Sequence, residues 1–128
     1  MSYYFNKNTV LDFDQAIETV TTELGHEGFG ILSVIDVQAK IKEKLGKDIS
    51  RYTILGACNP TFAYQALQAE PHIGTMLPCN VVIRELEDGK IEVSAVDPVA
   101  SMQAVGNPDL QKTAETIQEK LKKVIAAI

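Results

Sequence analysis

Cys79-Asn80-Val81-Val82-Ile83-Arg84-Glu85-Leu86-Glu87-Asp88-Gly89-Lys90-Ile91-Glu92-Val93-Ser94-Ala95-Val96 is the stretch on which the fold turns. Cys79 to Leu86 and Lys90 to Val96 read as two strands joined through Glu87-Asp88-Gly89, a turn sequence that makes them a hairpin and therefore antiparallel. A two-residue Asp-Gly loop would set Glu85 against Glu92. A three-residue loop with Gly89 in the left-handed conformation instead sets Arg84 opposite Glu92 and Ile83 opposite Val93. Opposite charges and matched apolar pairs favour the second register, which is the one expected.

Working upstream, Tyr52 to Cys58 reads as a strand, and Asn59-Pro60 begins a helix with proline at the first helical position, where its missing N–H costs nothing. Phe62, Ala63, Ala66 and Leu67 should face inward on that helix, which ends near Glu70. Phe29-Gly30-Ile31-Leu32-Ser33-Val34-Ile35 is apolar on both faces and predicts a central strand, with Gly28 before it as a left-handed helix stop. Asp36 then caps a short helix whose buried edge is Val37, Ile41 and Leu45, ended by Gly46. Asp12 with Gln15 three residues on is a capping box for a helix over about Phe13 to Glu27, and residues 2 to 7 suit a first strand.

Downstream, Asp97-Pro98 begins a helical turn. Asn107-Pro108 begins the last helix, with Leu110, Ala114, Ile117, Leu121, Val124 and Ile128 on one stripe. The sum is one α+β domain over residues 1 to 128. Its order is strand, helix, strand, short helix, strand, helix, hairpin, helix, with one mainly antiparallel sheet of about five strands covered by helices.

The 128 residues are 45% apolar and 23% charged, the profile of a compact folded domain. Twelve basic against seventeen acidic side chains give a net charge of −5, which leaves no electrostatic footprint for nucleic acid. Lys40, Lys42, Lys44 and Lys47, diluted by Glu43 and Asp48, read as a solvated helix face. No apolar run approaches the roughly 20 residues of a membrane span. The N-terminus lacks the pattern of a signal peptide, so a cytoplasmic protein without membrane contact is expected. In that compartment the two cysteines are free thiols.

The chemistry-bearing residues cluster in two Cys-Asn steps, Cys58-Asn59 and Cys79-Asn80, each beside a strand end. Cys58 lies just before a helix N-terminus, which lowers a thiol's pKa and suits a nucleophile or metal ligand. Inert packing is nonetheless the default reading of a free cysteine, which is among the most buried residue types. His72, between the two Cys-Asn steps, is the one nearby nitrogen ligand. Cys58, Cys79 and His72 are accordingly the candidate metal ligands, though no Cys-x-x-Cys or His-x-x-x-His spacing supports a structural zinc site. Asn59, Asp97 and Asn107 each precede a proline at a helix start, where capping explains them before chemistry does. No glycine pattern binds a nucleotide here, and the sequence leaves any cofactor unknown.

Four blocks carry a resemblance: Gly28-Phe29-Gly30-Ile31-Leu32 with Ile35-Asp36-Val37, Ile54-Leu55-Gly56-Ala57-Cys58-Asn59-Pro60, Leu77-Pro78-Cys79-Asn80-Val81, and Val96-Asp97-Pro98. In this order, over nearly the whole chain, they resemble the domain of unknown function 302 family. The resemblance implies a single α+β domain of bacteria and archaea, often a homodimer, with no established reaction. It also sets the family's motif positions on Cys58, Asn59, Pro60, Pro78, Cys79, Asn80, Asp97 and Pro98. These are expected to line a small polar cleft between the sheet and the helix that begins at Pro60, with Glu70 and His72 on its rim.

Three functions fit such a cleft. The first is a cytosolic homodimer binding a small ligand or metal through Cys58, Asn59, Cys79, Asn80, Asp97 and His72. The second is a thiol-dependent enzyme or redox sensor with Cys58 as nucleophile and Cys79 as resolving thiol. The third is a purely structural interaction module whose motifs pack corners.

Overall fold

A computed structural model describes residues 2 to 128. In chain order the elements are β1 (Tyr4–Thr9), α1 (Phe13–His26), β2 (Gly30–Asp36), α2 (Val37–Leu45), β3 (Tyr52–Cys58), α3 (Pro60–Ala69), a 3-10 segment Pro71–Met76, β4 (Cys79–Glu85), β5 (Ile91–Val96), α4 (Pro98–Met102), 3-10 turns at Gln103–Val105 and Pro108–Leu110, and α5 (Gln111–Ala126). The five strands form one sheet in the order β1-β5-β4-β3-β2, and every neighbouring pair is antiparallel. This is an α+β domain.

The hairpin has the expected register. Arg84 pairs with Glu92 and Ile83 with Val93, and Gly89 takes φ +84° at the turn. Arg84 Nε donates to Glu92 Oε1 at 2.6 Å, and Asn6 Nδ2 donates to Glu92 Oε2 at 2.9 Å from the next strand. Burial alone raises the Glu92 pKa, but these two donors outweigh it and hold the carboxyl below its ordinary value.

One face of the sheet is the core. Leu55, Ala57, Val81, Ile83, Ile91, Val93 and Ala95 pack against Phe13, Ala16, Val20 and Leu24 of α1 and against Ile117, Leu121, Val124 and Ile125 of α5. Each fully buried Leu, Ile or Val contributes about 2 kcal/mol of apolar transfer, so these two helical stripes dominate the stability. α1 begins at the predicted capping box, with Asp12 Oδ1 accepting from Gln15 N at 2.8 Å and the Gln15 side chain accepting from Asp12 N. Lys7 Nζ donates to the Ala126 carbonyl at 3.0 Å and ties β1 to the end of α5.

Several local expectations are corrected. β2 is an edge strand, not a central one, and its apolar side chains stand in the open, with Leu32 67%, Val34 64% and Ile35 44% exposed. Two-sided apolarity marks a strand that needs cover on both faces, but the helices lie mainly over the other strands, and of β2 it is Ile31 that packs against the core. A bulge between Ile31 and Ser33 shifts its register. α2 has no fully buried residue: Val37 and Ile41 of its expected inner edge are half-buried, and Leu45 is 64% exposed. On α3 only Ala66 is fully buried, and Leu67 faces outward. The first strand begins at Tyr4 and runs to Thr9. The Asn107-Pro108 start is a single 3-10 turn, after which α5 begins at Gln111.

Candidate functional site

At the end of the sheet where β3 finishes and β4 starts, α3, α4 and α5 close around a cavity of about 50 Å³. Ala57 pairs with Cys79, so Cys58 stands one position farther along, and both thiols line the cavity. They are free and half-buried. The remaining wall is largely hydrocarbon, including Phe29, Phe62, Pro78 and Ile117, with Asn59 and Thr113 as its other polar members, and the thioether of Met102 joins it from α4. The Leu77-Pro78 peptide is cis.

The electrostatics follow from that wall. Burial pushes the Cys79 thiol from 9.0 up to about 11, and the neighbouring Cys58 adds to the rise because two thiolates side by side repel. Cys79 therefore rests as a protonated thiol at neutral pH. Among the described residues no buried side-chain nitrogen or oxygen lacks a hydrogen-bond partner, and no group of three or more His, Cys, Asp or Glu is assembled for a metal. The lining offers sulfur from Cys58, Cys79 and Met102, and its other polar members are Asn59 and Thr113.

The asparagines and the aspartate show where the rest of the motif is spent. Asn59 lines the cavity, but its Oδ1 accepts from Phe62 N at 3.5 Å to cap α3 and its Nδ2 donates to the Glu27 carbonyl at 3.3 Å. It clasps the start of α3 to the end of α1. Asp97 is buried and does not line the cavity. Its Oδ1 accepts from Val99 N and from Gln118 Nε2, both at 3.0 Å, which caps α4 and fastens it to α5. Pro98, next to it, does reach the cavity wall.

Asn80 points the other way. Strand alternation sends it to the open face of the sheet, into a shallow hollow with Tyr3, Tyr4, Tyr52, Arg84 and Glu92. His72 is 94% exposed in the 3-10 segment, where its Nδ1 lies 3.7 Å from Glu70 Oε1, and neither residue lines the cavity. The structure therefore brings together Cys58, Asn59, Pro78, Cys79 and Pro98, and separates Asn80, Asp97, Glu70 and His72 from them. The cleft is apolar rather than polar. Met102, Ile117 and Phe29 had no place in the sequence reading of the site. Of these, Met102 carried a signal, as a sulfur just downstream of the Asp97-Pro98 block.

Comparison with known proteins accords with this architecture. A crystal structure of an uncharacterized conserved protein DUF302 from Bacillus stearothermophilus superposes with a TM-score of 0.92 at 26% identity, covering 99% of this chain and 98% of that one. An uncharacterized protein of Aquifex aeolicus (strain VF5) is 27% identical over 94 residues, which are 73% of this chain. The match spans 59% of that relative's own length. The family model for the domain of unknown function DUF302 matches residues 5–128, and the chain belongs to that family.

Proposed function

We propose that the cavity at the β3–β4 end binds a small, soft, thiophilic occupant, a d10 metal ion in the first instance, through the sulfurs of Cys58 and Cys79 in a cytoplasmic homodimer. The observation that carries this is the presence of both cysteines of the chain in the wall of one cavity whose lining is largely hydrocarbon. Size narrows the class, because drug-sized ligands occupy some 300–1,000 Å³, whereas about 50 Å³ takes an ion or a few heavy atoms. Donor type narrows it further, since thiolate and thioether select soft ions over magnesium or calcium. Reduced cysteines fit a reducing compartment.

The thiol-enzyme reading is less well supported. Cys79, cast as the resolving thiol, is protonated until far above neutral pH, so it attacks a mixed disulfide slowly. The purely structural reading requires sealed sulfurs, and both are half-buried beside open space.

Titration of the reduced protein with Cd²⁺, followed by the ultraviolet thiolate-to-cadmium absorption, tests the proposal. One ion per chain is expected, lost in both C58S and C79S and retained in H72A. No absorption band, or a band that survives in C58S and C79S, would overturn it.

A further inference from the structure

We propose that the hollow on the open face of the sheet is a second binding site, for a small molecule in which a flat aromatic ring carries a carboxylate. α1 and α5 cover the opposite face. The hollow shares no lining residue with the sulfur-bearing cavity, and its occupant is independent of what that cavity binds. Its volume of about 440 Å³ falls within the roughly 300–1,000 Å³ of small-molecule sites.

Strand register builds the floor and the walls. Val82 lies opposite Ser94, and both are short and half-buried. The rows on either side rise above them: Arg84 stands between Tyr52 and Glu92, and Tyr4 stands opposite Val96. Tyr3 meets Tyr4 edge to face with ring centroids 5.1 Å apart, an arrangement that steadies both rings. Three of the chain's four tyrosines thus border one low floor, so a planar ring laid on it meets aromatic surface at both ends. Tyr3 and Tyr4, 69% and 42% exposed, are the open aromatic surface that such a ring would cover.

The polar groups decide what the ring must carry. Among the described residues that line the hollow, Arg84 and Glu92 are the charged ones. The carboxylate is already engaged: its oxygens accept from Arg84 Nε at 2.6 Å and Asn6 Nδ2 at 2.9 Å, and its side chain is 12% exposed. The guanidinium is 46% exposed and reaches Glu92 through Nε, which leaves its terminal nitrogens to present the planar fork that matches a carboxylate. Asn80, exposed in the same hollow, adds an amide donor. N–H groups rather than carboxylate oxygens therefore face the ligand, and Glu92 is the positioning residue that holds the fork. The net charge of −5 opposes an anion weakly, since exposed charges beyond a Debye length of about 8 Å are screened.

Amide chemical shifts of the isotope-labelled full-length protein, titrated with 2-naphthoate, its neutral isostere 2-naphthamide and acetate, test the proposal. Naphthoate is expected to give saturable shifts at Tyr3, Tyr52, Asn80 and Arg84 with a midpoint of about 1 mM or below. Naphthamide should bind about tenfold or more weakly, and acetate should give no saturation by about 10 mM. Arg84→Lys keeps the charge and loses the fork, so it is expected to weaken naphthoate about tenfold and leave naphthamide unchanged. Tyr3→Ala, at an exposed position before the first strand, should weaken both aromatic probes about threefold.

Equal midpoints for naphthoate and naphthamide, shifts confined to the sulfur-lined cavity, no saturation by about 10 mM, or an R84K protein that binds naphthoate as the wild type does would each overturn the proposal. So would shifts at these residues that change on dilution without probe while naphthoate produces none, which would assign the face to a second copy of the chain. The comparison of the two aromatic probes on the wild type decides the matter even if the variants do not fold.

Discussion

Gly56→Ala is the perturbation whose cost can be worked most directly from the structure. Gly56 lies mid-sheet on β3, paired with Ser33 on one side and Asn80 on the other. A Cβ built there would stand 2.4 Å from Ser33 Oγ and 2.9 Å from Pro78 Cγ, where ordinary contact is 3.4–4 Å. The overlaps are thus about 1 Å and 0.5 Å by van der Waals distance. Neither neighbour yields freely, since the Pro78 ring is closed onto its own backbone and Ser33 adjoins the bulge in β2.

Overpacking of this kind costs about 1–3 kcal/mol, and two simultaneous contacts place G56A at about 2–3. For a chain of this size that is a fall in Tm of about 8–12 °C. Circular dichroism melts at one fixed protein concentration measure it, with urea titration for ΔG. Gly25→Ala is the control. It sits in α1 with nothing within 4 Å of the added Cβ, and is expected to be neutral or to stabilise by about 0.5–1 kcal/mol. Removing the serine oxygen in the S33A/G56A double variant should recover about half the loss, the Pro78 contact remaining. A G56A variant within about 0.5 kcal/mol of the wild type, or no recovery in the double variant, would refute the steric reasoning.

Further outcomes are expected at Cys79 and Asp97. Because folding raises the Cys79 thiol from 9.0 to about 11, the folded chain binds its proton more tightly than the unfolded one, and stability is lost as pH rises from 9 toward 11. At pH 8 Cys79 should alkylate about a hundredfold more slowly than an ordinary exposed thiol, by mass spectrometry of the C58S protein. Equal rates, or an alkaline stability loss that C79A does not reduce, would contradict this. Asp97→Ala removes the α4 cap and leaves Gln118 Nε2 without its acceptor. It should cost about 2 kcal/mol in urea titration, and D97N, which keeps one oxygen, should cost less.

What was legible in the sequence was what local chemistry determines. The hairpin register followed from Arg84 and Glu92 needing each other, and helix starts from Asp12, Asp36, Asn59 and Asp97, each of which accepts from an early helix N–H. Strand order depends on pairings between distant segments, such as Tyr4 with Val96, and no local signal encodes it. That gap is why β2 was expected in the centre: its composition reports a need for cover and says nothing about who supplies it.

At the site, the joint placement of Cys58 and Cys79 was readable because both adjoin strand ends. The divergence of Asn80 was readable too, since period-two alternation groups Cys79 with Val81 and Ile83 and sends Asn80 to the side of Val82 and Arg84. His72 shared only chain proximity with the cysteines, and a 3-10 segment carried it to the surface. The walls from Met102 and Ile117 depend on helix packing and were not legible.

The sheet order has a consequence for how the chain is made. β2, β3, β4 and β5 form a consecutive run in which each strand pairs with the next, so they can assemble progressively during synthesis. β1, synthesised first, pairs only with β5, and Tyr4 waits for Val96 to appear. On the ribosome the amino-terminal strand is therefore a stranded segment through most of translation, and the β5 edge is completed only by its return. Ribosome-stalled intermediates ending before Ile91 should hold β1 unpaired and be open to proteases there, while those extended past α5 are closed.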